Sequence, residues 1–263
     1  MISIITPVYN GEKYIEACIE NVIEQKCPDI EHIIVDGGST DRTVEIIRKY
    51  EENHTHIRWV SEKDKGQSDA MNKGIAMAKG LVIGILNVDD YYEPNVLCRI
   101  LEMFKGLPEP SLLVGNCNVW DNDGKLWFVS KPYRISFENL LSGRFLQAFP
   151  MNPAGYFYHA SLHRKTGLFK TDEHFAMDVE FMLRAVQSAH ITYVDKMFGN
   201  YRYLIGTKTY MNDQSGETQK IVRNIIYGYL REMPLMKRLK LILRYELPRN
   251  RIWQIVKSYS KSK

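Results

Sequence analysis

The amino-acid sequence predicts an α/β protein with a mostly parallel, doubly wound sheet. Four short apolar runs typical of buried strands occur in the first ~105 residues, and each is followed by a segment with helical periodicity. Strands that alternate with helices in this way pair in parallel. The composition agrees, since 44% hydrophobic and 25% charged residues are typical of a soluble globular protein.

The first two strand–helix units are the most regular. Ile2–Val8 predicts a strand, and Asn10 is placed to cap the helix that follows. That helix has a single apolar stripe, formed by Ile15, Cys18, Ile19, Val22 and Ile23. Glu31–Asp36 predicts the second strand, and the turn of residues 37–41 leads into a helix that runs to about Glu52.

The third and fourth units complete the predicted sheet. Ile57–Val60 predicts a short strand, and a helix over Gln67–Lys79 has Gly80 as its C-terminal cap. Leu81–Val88 is apolar almost throughout, as in a central strand that is buried on both faces. A further helix follows Pro94, because proline suits the first turn of a helix.

The second half of the chain is less regular. Strands are predicted at Leu112–Val119 and Leu126–Ser130, on either side of a turn. Helices are predicted at 136–142 and 177–189. No internal repeat interrupts this pattern, so the chain predicts one α/β body followed by helical segments.

The positive charge is concentrated at the end of the chain. Of the formal charge of +4, residues 237–263 contribute nine Lys or Arg and one acid, a balance of +8, so the other residues carry about −4. Basic residues there are interspersed with Leu, Ile and Trp at helical spacing. Over 236–263 this predicts amphipathic helices that lie on an anionic membrane surface, or else pack on the body or on a second subunit. The acidic body argues against nucleic-acid binding.

Cysteine usage and hydropathy indicate the compartment. The four cysteines have no metal-site spacing, so we expect reduced thiols. The chain enters its first strand at Ile2 without a signal peptide, and no apolar run approaches the roughly 18 residues of a membrane-spanning helix. We therefore expect a cytoplasmic protein, either free or attached to the inner face of the cell membrane. Its oligomeric state stays open.

Asp89 and Asp90 mark the end of the sheet where a ligand is expected. They directly follow the central strand, and ligands of open α/β sheets bind beyond the carboxyl ends of the strands. Two adjacent carboxylates suit Mg²⁺ or Mn²⁺, which accept one or two carboxylates together with substrate phosphates. The alternative is a pair of solvated loop carboxylates. No G-x-G-x-x-G or P-loop motif is present, so neither a dinucleotide dehydrogenase nor a P-loop enzyme is favoured.

Four motifs occur in an order that resembles a known family. They are TPVYN at Thr6–Asn10, VDGGSTD at Val35–Asp41, DKGQSDAMNKG at Asp64–Gly74 and LNVDD at Leu86–Asp90. Together they resemble the N-terminal half of the inverting family 2 glycosyltransferases, which have the GT-A (nucleotide-diphospho-sugar transferase) fold. Any one motif is weak evidence, whereas four in this order are specific.

The resemblance implies a reaction and a domain plan. The donor would be a nucleotide-diphosphate sugar, usually UDP-linked, and the sugar would pass to a hydroxyl of a glycan or lipid-linked acceptor with inversion at the anomeric carbon. The GT-A domain would span 1–205, with a nucleotide-binding half (1–110) and an acceptor half (111–205). Residues 206–263 would form a lid loop and basic C-terminal helices. A nucleotidyltransferase of similar fold and a non-catalytic nucleotide-sugar-binding subunit of a synthase stay as alternatives.

The resemblance also implies which residues bind the donor. Carried over by position, Tyr9 would stack on the base, and Asp36 would accept a hydrogen bond from it. The alternative for Asp36 is a turn carboxylate that caps the next helix. The other donor-binding positions are Pro7, Asn10, Asp64 and Asp69, the last two near the base and the ribose.

The metal site is expected at the LNVDD motif. The resemblance makes Asp90 the main ligand of Mn²⁺ or Mg²⁺, and Asp89 would hold the ribose or share the metal. Family members often have Asp-x-Asp-Asp, whereas this chain has Asn87 at the first position. An amide supplies no negative charge, so we expect modest metal affinity.

An inverting transfer needs a general base for the acceptor hydroxyl, and Ala176–Arg184 resembles the segment that carries it. Asp178 and Glu180 compete for the role. With Asp178 at zero, the apolar residues of the predicted helix centre near about 75° and Glu180 lies at about 200°. Glu180 therefore faces outward beside Arg184, its partner in a predicted surface ion pair. We predict Asp178 as the base, the alternative being a first-turn carboxylate that stabilises the helix dipole.

Two further segments of the second half bear on the acceptor and the donor. Residues 145–165 are rich in aromatic side chains, which either line the acceptor site or belong to the core, the core being favoured. Tyr201–Tyr210 resembles the flexible loop that folds over the donor, without the His that some members use as a metal ligand. His159 and His163 have no ligand-like spacing and are interpreted as structural.

Overall fold

A nine-stranded sheet organises the chain in the computed structural model, which describes residues 1–142, 145–172, 176–239 and 241. The strands in chain order are β1 (Ile2–Val8), β2 (Ile30–Asp36), β3 (Ile57–Ser61), β4 (Val82–Ile85), β5 (Tyr91–Tyr92), β6 (Ser111–Trp120), β7 (Leu126–Ser130), β8 (Tyr156–His159) and β9 (His190–Arg202). Their order in the sheet is β3-β2-β1-β4-β8-β6-β9-β5, and β7 pairs with β6.

The parallel part of the sheet is its N-terminal half. β1 pairs in parallel with β2 and β4, and β2 pairs in parallel with β3. In the second half β8 runs antiparallel to both β4 and β6, β7 antiparallel to β6 and β5 antiparallel to β9, while β6 and β9 are parallel. The predicted α/β architecture is confirmed, and the complete sheet is mixed.

Helices cover both faces of the sheet. They are α1 (Ile15–Glu24), α2 (Thr43–Glu51), α3 (Gln67–Met77), α4 (Val96–Phe104), α5 (Phe137–Leu141), α6 (Phe145–Ala148), α7 (Leu162–Thr166), α8 (Met177–Ser188), α9 (Lys208–Ser215) and α10 (Glu217–Arg231). Buried residues of α1, α2 and α4 pack on one face, and those of α3, α8 and α10 pack on the other. This is the doubly wound arrangement that the alternation of strands and helices predicts.

Close packing of α3 on the sheet depends on a glycine. A Cβ at Gly74 would lie 2.4 Å from Cγ2 of Ile5 in β1. Because that atom belongs to a fully buried core residue, any side chain at position 74 would push the helix away from the strand.

Several predicted boundaries need correction. The central strand ends at Ile85, because the chain turns at Asn87, whose carbonyl accepts a hydrogen bond from the Asp90 N–H (3.0 Å). Asn10 does not cap α1, whose first turn follows Tyr14; instead Asn10 contacts the turn after β2. Gly80 does not cap α3, which ends at Ala78.

The C-terminal region is helical as far as the structure describes it. Helices α9 and α10 follow β9 closely, and only residues 203–207 separate the strand from α9. Of the segment predicted as a lid loop, Tyr201–Tyr210, the first two residues belong to β9 and the last three to α9. Within the described part of the chain, no helix has the length and apolar character needed to cross a bilayer. The predicted basic helices fall mostly on residues 242–263, outside the described residues.

Candidate active site

The carboxyl ends of β1 and β2 are joined by hydrogen bonds between their loops. The Asn10 N–H donates to the Ser39 hydroxyl (2.7 Å), and the Asn10 side-chain oxygen accepts from the Thr40 N–H (2.9 Å). Tyr9 precedes this contact and its side chain is 63% exposed, so its ring is free to meet a ligand. Pro7 lies buried in β1 opposite Val35. The loops that carry the first two motifs therefore lie side by side at the carboxyl ends of β1 and β2.

Asp36 organises the turn after β2. Its buried carboxylate accepts hydrogen bonds from the N–H groups of Gly38 and Ser39 (both 3.0 Å), from the Ser61 hydroxyl (2.6 Å) and from the Ser39 hydroxyl. The turn needs Gly38, whose φ is +84°, in the left-handed region that glycine tolerates. The carboxylate oxygens are therefore engaged by the protein in this conformation.

Asp64 and Asp69 stand at the entry to α3, beside that turn. The Asp64 carboxylate accepts a hydrogen bond from the Gly66 N–H (2.8 Å), and it lies so close to Gly37 that a Cβ there would be 2.5 Å from Oδ2. Asp69 accepts from the Lys65 N–H (3.1 Å). Both residues are half-buried and face the region that the first two motifs border.

Asp90 is the hydrogen-bonding centre of the turn that follows β4, residues 86–90, which we call the acidic turn. It is 1% exposed, and its carboxylate accepts hydrogen bonds from the side-chain amides of Asn87 (3.0 Å) and Asn152 (2.7 Å) and from the Arg202 N–H (3.0 Å). Burial, followed by the charge of Asp89, raises the pKa of Asp90 to about 7. These contacts tie the ends of β4 and β9 to the turn before β8. Asp90, predicted as the main metal ligand, is thus occupied by protein donors.

The carboxylate of Asp89 is more available to a ligand than that of Asp90. It is half-buried, and no side chain among the described residues donates a hydrogen bond to its carboxylate. Burial raises the pKa of Asp89, and the nearby Arg202 guanidinium opposes that rise. Across the described ranges no cluster of three or more His, Cys, Asp or Glu could hold a metal ion. A cation here would therefore depend on Asp89 and on ligands from a substrate.

The sequence did not point to Arg202, which supports the acidic turn from β9. Its Nε donates to the backbone carbonyl of Asp89, and its guanidinium lies over the rings of Tyr14 (5.3 Å) and Tyr91 (5.9 Å). Asn152 and Gln67 were not predicted from the sequence as site residues either. Gln67 donates to the Asn87 side chain (2.9 Å) and so joins the start of α3 to the acidic turn. No local sequence pattern marks these long-range partners.

The predicted base lies in the first turn of α8. Asp178 is half-buried, and its charge adds to the effect of burial in raising the pKa of Tyr156. Its neighbour Met177 accepts a hydrogen bond from the Ser68 hydroxyl (2.7 Å), in the first turn of α3. That contact brings the start of α8 beside the residue that precedes Asp69. The first turns of α8 and α3, which carry the predicted base and Asp69, are therefore neighbours.

Glu180 pairs as predicted but in a different environment. Arg184 binds its carboxylate at 2.6 Å and Lys170 at 2.8 Å, yet Glu180 is only 3% exposed. The predicted surface ion pair is wrong in this respect, because the loop that carries Lys170 covers the outward face of the helix. The carboxylate is fully engaged, which still leaves Asp178 as the better candidate for the base.

The described aromatic side chains of the segment 145–165 belong to the core. Tyr156, Phe157 and Tyr158 form β8, and each is at most 1% exposed. His159 accepts a hydrogen bond from the Ser111 N–H (3.0 Å), and His163 lies within hydrogen-bonding distance of the Tyr158 hydroxyl (3.1 Å). Both histidines make the structural contacts expected of them.

Comparison with known proteins identifies the arrangement. The family profile described as Glycosyl transferase family 2 matches residues 3–168. Chondroitin synthase of Escherichia coli is 32% identical over 213 residues, which are 80% of this chain and 30% of that protein. The chain thus spans less than a third of the length of this curated relative.

Two solved structures share the fold. Residues 1–349 of TarS from S. aureus, in complex with UDP, superpose with a TM-score of 0.69 at 19% identity, over 94% of this chain and 71% of that one. The mannosyltransferase PcManGT from Pyrobaculum calidifontis, in complex with GDP-Man and Mn²⁺, gives 0.61 at 16% identity, over 98% and 84%. These likenesses confirm the predicted GT-A fold.

Proposed function

The chain belongs to the family 2 glycosyltransferases, and from this membership we propose that it transfers a sugar from a nucleotide-diphosphate donor to an acceptor hydroxyl, with inversion. The observation that supports the proposal is the hydrogen bond between Ser68 and Met177, which joins the first turn of α3 to the first turn of α8, where Asp178 lies. Because the chain spans only part of its relatives, the activity of the whole protein is part of this proposal.

We propose a UDP-sugar as the donor. The related structures were solved with UDP and with GDP-Man, so a nucleotide diphosphate is the common feature. The exposed ring of Tyr9 suits stacking on the base. A hydrogen bond from the base to Asp36 would require the Ser39 hydroxyl to release one carboxylate oxygen. The remaining donor-binding positions would be Pro7, Asn10, Asp64 and Asp69.

We propose Asp89 as the protein ligand of a divalent cation, Mn²⁺ or Mg²⁺. The donor set fits, because these ions accept a single carboxylate when phosphate oxygens and water complete the coordination. When bound, the cation would offset the negative charge that develops on the departing diphosphate. Asp90 would act by holding the turn in place. Arg202 would fix the backbone of Asp89 through its hydrogen bond to the carbonyl.

We propose Asp178 as the general base. An inverting transfer forms the new glycosidic bond as the acceptor oxygen attacks the anomeric carbon, and the hydroxyl proton passes to a carboxylate. Asp178 is half-buried at the start of α8, whereas Glu180 is held by Lys170 and Arg184. This difference favours Asp178 over Glu180 as the base.

The acceptor would be a glycan or a lipid-linked saccharide, in line with the relationship to a chondroitin synthase. We propose that residues 236–263 attach the protein to the inner face of the cell membrane. At the start of this segment Met236 is 82% exposed, whereas Lys237 binds Glu138 (3.2 Å). The ion pair anchors the beginning of the segment to the body.

Release of nucleotide from a panel of UDP- and GDP-sugars with Mn²⁺ tests the proposal. We expect UDP release from at least one UDP-sugar, and none after chelation of the cation or in Asp89→Asn. Release of pyrophosphate would favour a nucleotidyltransferase instead. Binding of UDP-sugars without any turnover would favour a non-catalytic subunit.

A further inference from the structure

A strip of aromatic side chains extends from the acidic turn to the surface. It consists of Tyr201 on β9, Tyr203 directly after β9, Tyr210 on α9 and Trp127 on β7, and we call it the aromatic strip. Ring centroids are 6.3 Å apart for Tyr201 and Tyr203, 5.6 Å for Tyr203 and Tyr210, and 5.7 Å for Tyr203 and Trp127. The four rings are therefore in contact through Tyr203.

The inner end of the aromatic strip adjoins the proposed active site. Tyr201 directly precedes Arg202, whose N–H binds Asp90. Burial and the charges of Asp90 and Asp213 raise the pKa of Tyr201, so this phenol lies near the acidic turn. Successive side chains of a strand point to opposite faces. Because Arg202 packs against Tyr14 at the start of α1, the tyrosines face the other side, where α9 lies.

The outer end of the aromatic strip is open to solvent. Trp127 is 42% exposed and its neighbour Leu126 is 49% exposed, both on β7, which pairs only with β6 in the described sheet. Polar groups border the rings: the Tyr203 hydroxyl donates to Asp213 (3.2 Å), and Asn122 accepts from the Ile205 N–H (3.0 Å). Neighbouring exposed apolar side chains that are bordered by polar groups are a feature of ligand-binding surfaces.

We propose that the aromatic strip binds the saccharide chain of the acceptor, with Trp127 stacking on a sugar unit remote from the reacting hydroxyl. The inference rests on the proposed glycosyl transfer, since it assigns the acceptor side of the same site. A sugar ring has an apolar face of C–H groups and an edge of hydroxyls. The strip offers ring faces together with the Tyr203 hydroxyl, Asp213 and Asn122, whereas a lipid chain would require a surface without these polar groups.

The test compares three variants for binding to an array of oligosaccharides that includes short chondroitin fragments. We expect the wild type to bind at least one oligosaccharide, and Trp127→Ala to bind it about tenfold more weakly, the order of one aromatic contact. Trp127→Phe should retain most of the affinity. Tyr133→Ala is the matched control, because Tyr133 is similarly exposed (49%) but contacts Tyr193, outside the strip. Thermal stabilisation by UDP with Mn²⁺ should be the same in all four proteins.

The inference would be overturned if the wild type bound no oligosaccharide, or if Trp127→Ala bound the oligosaccharide as tightly as the wild type. It would also be overturned if Trp127→Ala mainly lost binding to anionic phospholipid vesicles. The donor measurement keeps the two proposals separate. If UDP with Mn²⁺ stabilised none of the proteins while Trp127-dependent oligosaccharide binding persisted, the proposed transfer would be contradicted and the saccharide site would stand.

Discussion

Asp89 and Asp90 are adjacent in sequence, but their carboxylates have different surroundings. Asp90 is buried among three protein donors, whereas Asp89 is half-buried and receives no side-chain donor among the described residues. The difference arises because Asn87, Asn152 and Arg202 converge on Asp90 and not on the Asp89 carboxylate. The Asp90 carboxylate therefore supports the turn, and we propose that the Asp89 carboxylate faces the donor.

We expect Asp90→Ala to lower the free energy of unfolding by about 3 kcal/mol, because it leaves the buried donors of Asn87, Asn152 and Arg202 without an acceptor. Asp89→Asn should leave stability almost unchanged and abolish Mn²⁺-dependent binding of UDP. Urea unfolding and calorimetric titration measure the two effects. An Asp90→Ala protein of wild-type stability that fails to bind Mn²⁺ would restore Asp90 as the metal ligand.

Asp178→Asn should fold normally, bind UDP and lose about 10²- to 10⁴-fold in transfer rate, the usual contribution of a general base. Glu180→Gln is the matched control on the same helix. It weakens the contacts to Lys170 and Arg184, so it should lower the melting temperature while the rate per folded molecule is kept. Steady-state rates, corrected for the folded fraction by circular dichroism, decide the question. Wild-type turnover in Asp178→Asn would exclude it as the base.

At the scale of elements, two helices on the same face of the sheet differ in what surrounds their glycines. Gly74 lets α3 lie against β1, where a Cβ would be 2.4 Å from Ile5. Gly228 in α10 is the contrasting case, since a Cβ there would meet nothing within 4 Å. The same residue type thus has a packing role in one helix and none in the other.

We expect Gly74→Ala to reduce the free energy of unfolding by about 2 kcal/mol through overpacking, although alanine favours helix formation. Gly228→Ala should increase it by about 1 kcal/mol, because only the helix propensity changes. Equilibrium urea denaturation of both variants provides the measurement. Equal stabilisation by the two substitutions would show that α3 can move away from β1 without cost.

Strand β2 carries a buried histidine that makes stability depend on pH. The His32 ring bonds Thr6 through Nε2 (3.0 Å), and burial, followed by the charge of His56, lowers the pKa of His32 to about 3. The folded state therefore holds the ring neutral, whereas in the unfolded chain it takes up a proton below about pH 6.5. Its contribution to stability is complete above that pH and is lost as the pH falls.

For His32 alone, the free energy of unfolding should fall by about 1.4 kcal/mol per pH unit below about pH 6.5. In His32→Gln, the loss of stability between pH 7 and pH 5 should be smaller than in the wild type by about 2 kcal/mol. Chemical denaturation at the two pH values measures this difference. The same pH dependence in both proteins would mean that His32 does not titrate on unfolding.

At the scale of the whole molecule, both halves of the chain contribute to the acidic turn and its partners. The N-terminal half supplies the parallel strands and the turn itself, and the second half supplies Asn152 and Arg202 as well as the proposed base, Asp178. The antiparallel pairing of β4 with β8 joins the halves in one sheet. A perturbation of the second half is therefore transmitted to the acidic turn.

The basic C-terminal segment is proposed to attach the protein to a membrane. If residues 236–263 bind the membrane, the wild type should co-sediment with anionic vesicles, and a variant ending at Met233 should stay in the supernatant. Neutral vesicles are the control, because the interaction depends on the positive balance of this segment. Equal partitioning of the two proteins would leave packing on the body or on a second subunit.

Much of the fold could be predicted because its signals are local. The predicted bounds of strands β1 and β7 match the structure, and those of helices α1, α2 and α3 are correct to within a few residues. This is because hydrophobic periodicity is read over short windows of sequence. The motif order that identified the family is local too. The predicted end of the central strand was wrong, because the strand ends early, at Ile85. The position of that end depends on the turn that follows.

The sequence by itself determined the alternation of strands and helices, the family and the neighbourhood of the site. Only the tertiary structure decided which carboxylates the protein itself engages: the Asp90 carboxylate accepts three hydrogen bonds, and Glu180 is buried between two cations. It also decided that an aromatic strip lies next to the acidic turn. The physical reason is distance along the chain. Asn152 and Arg202 reach the acidic turn across 62 and 112 residues, and no periodicity or short motif encodes such contacts.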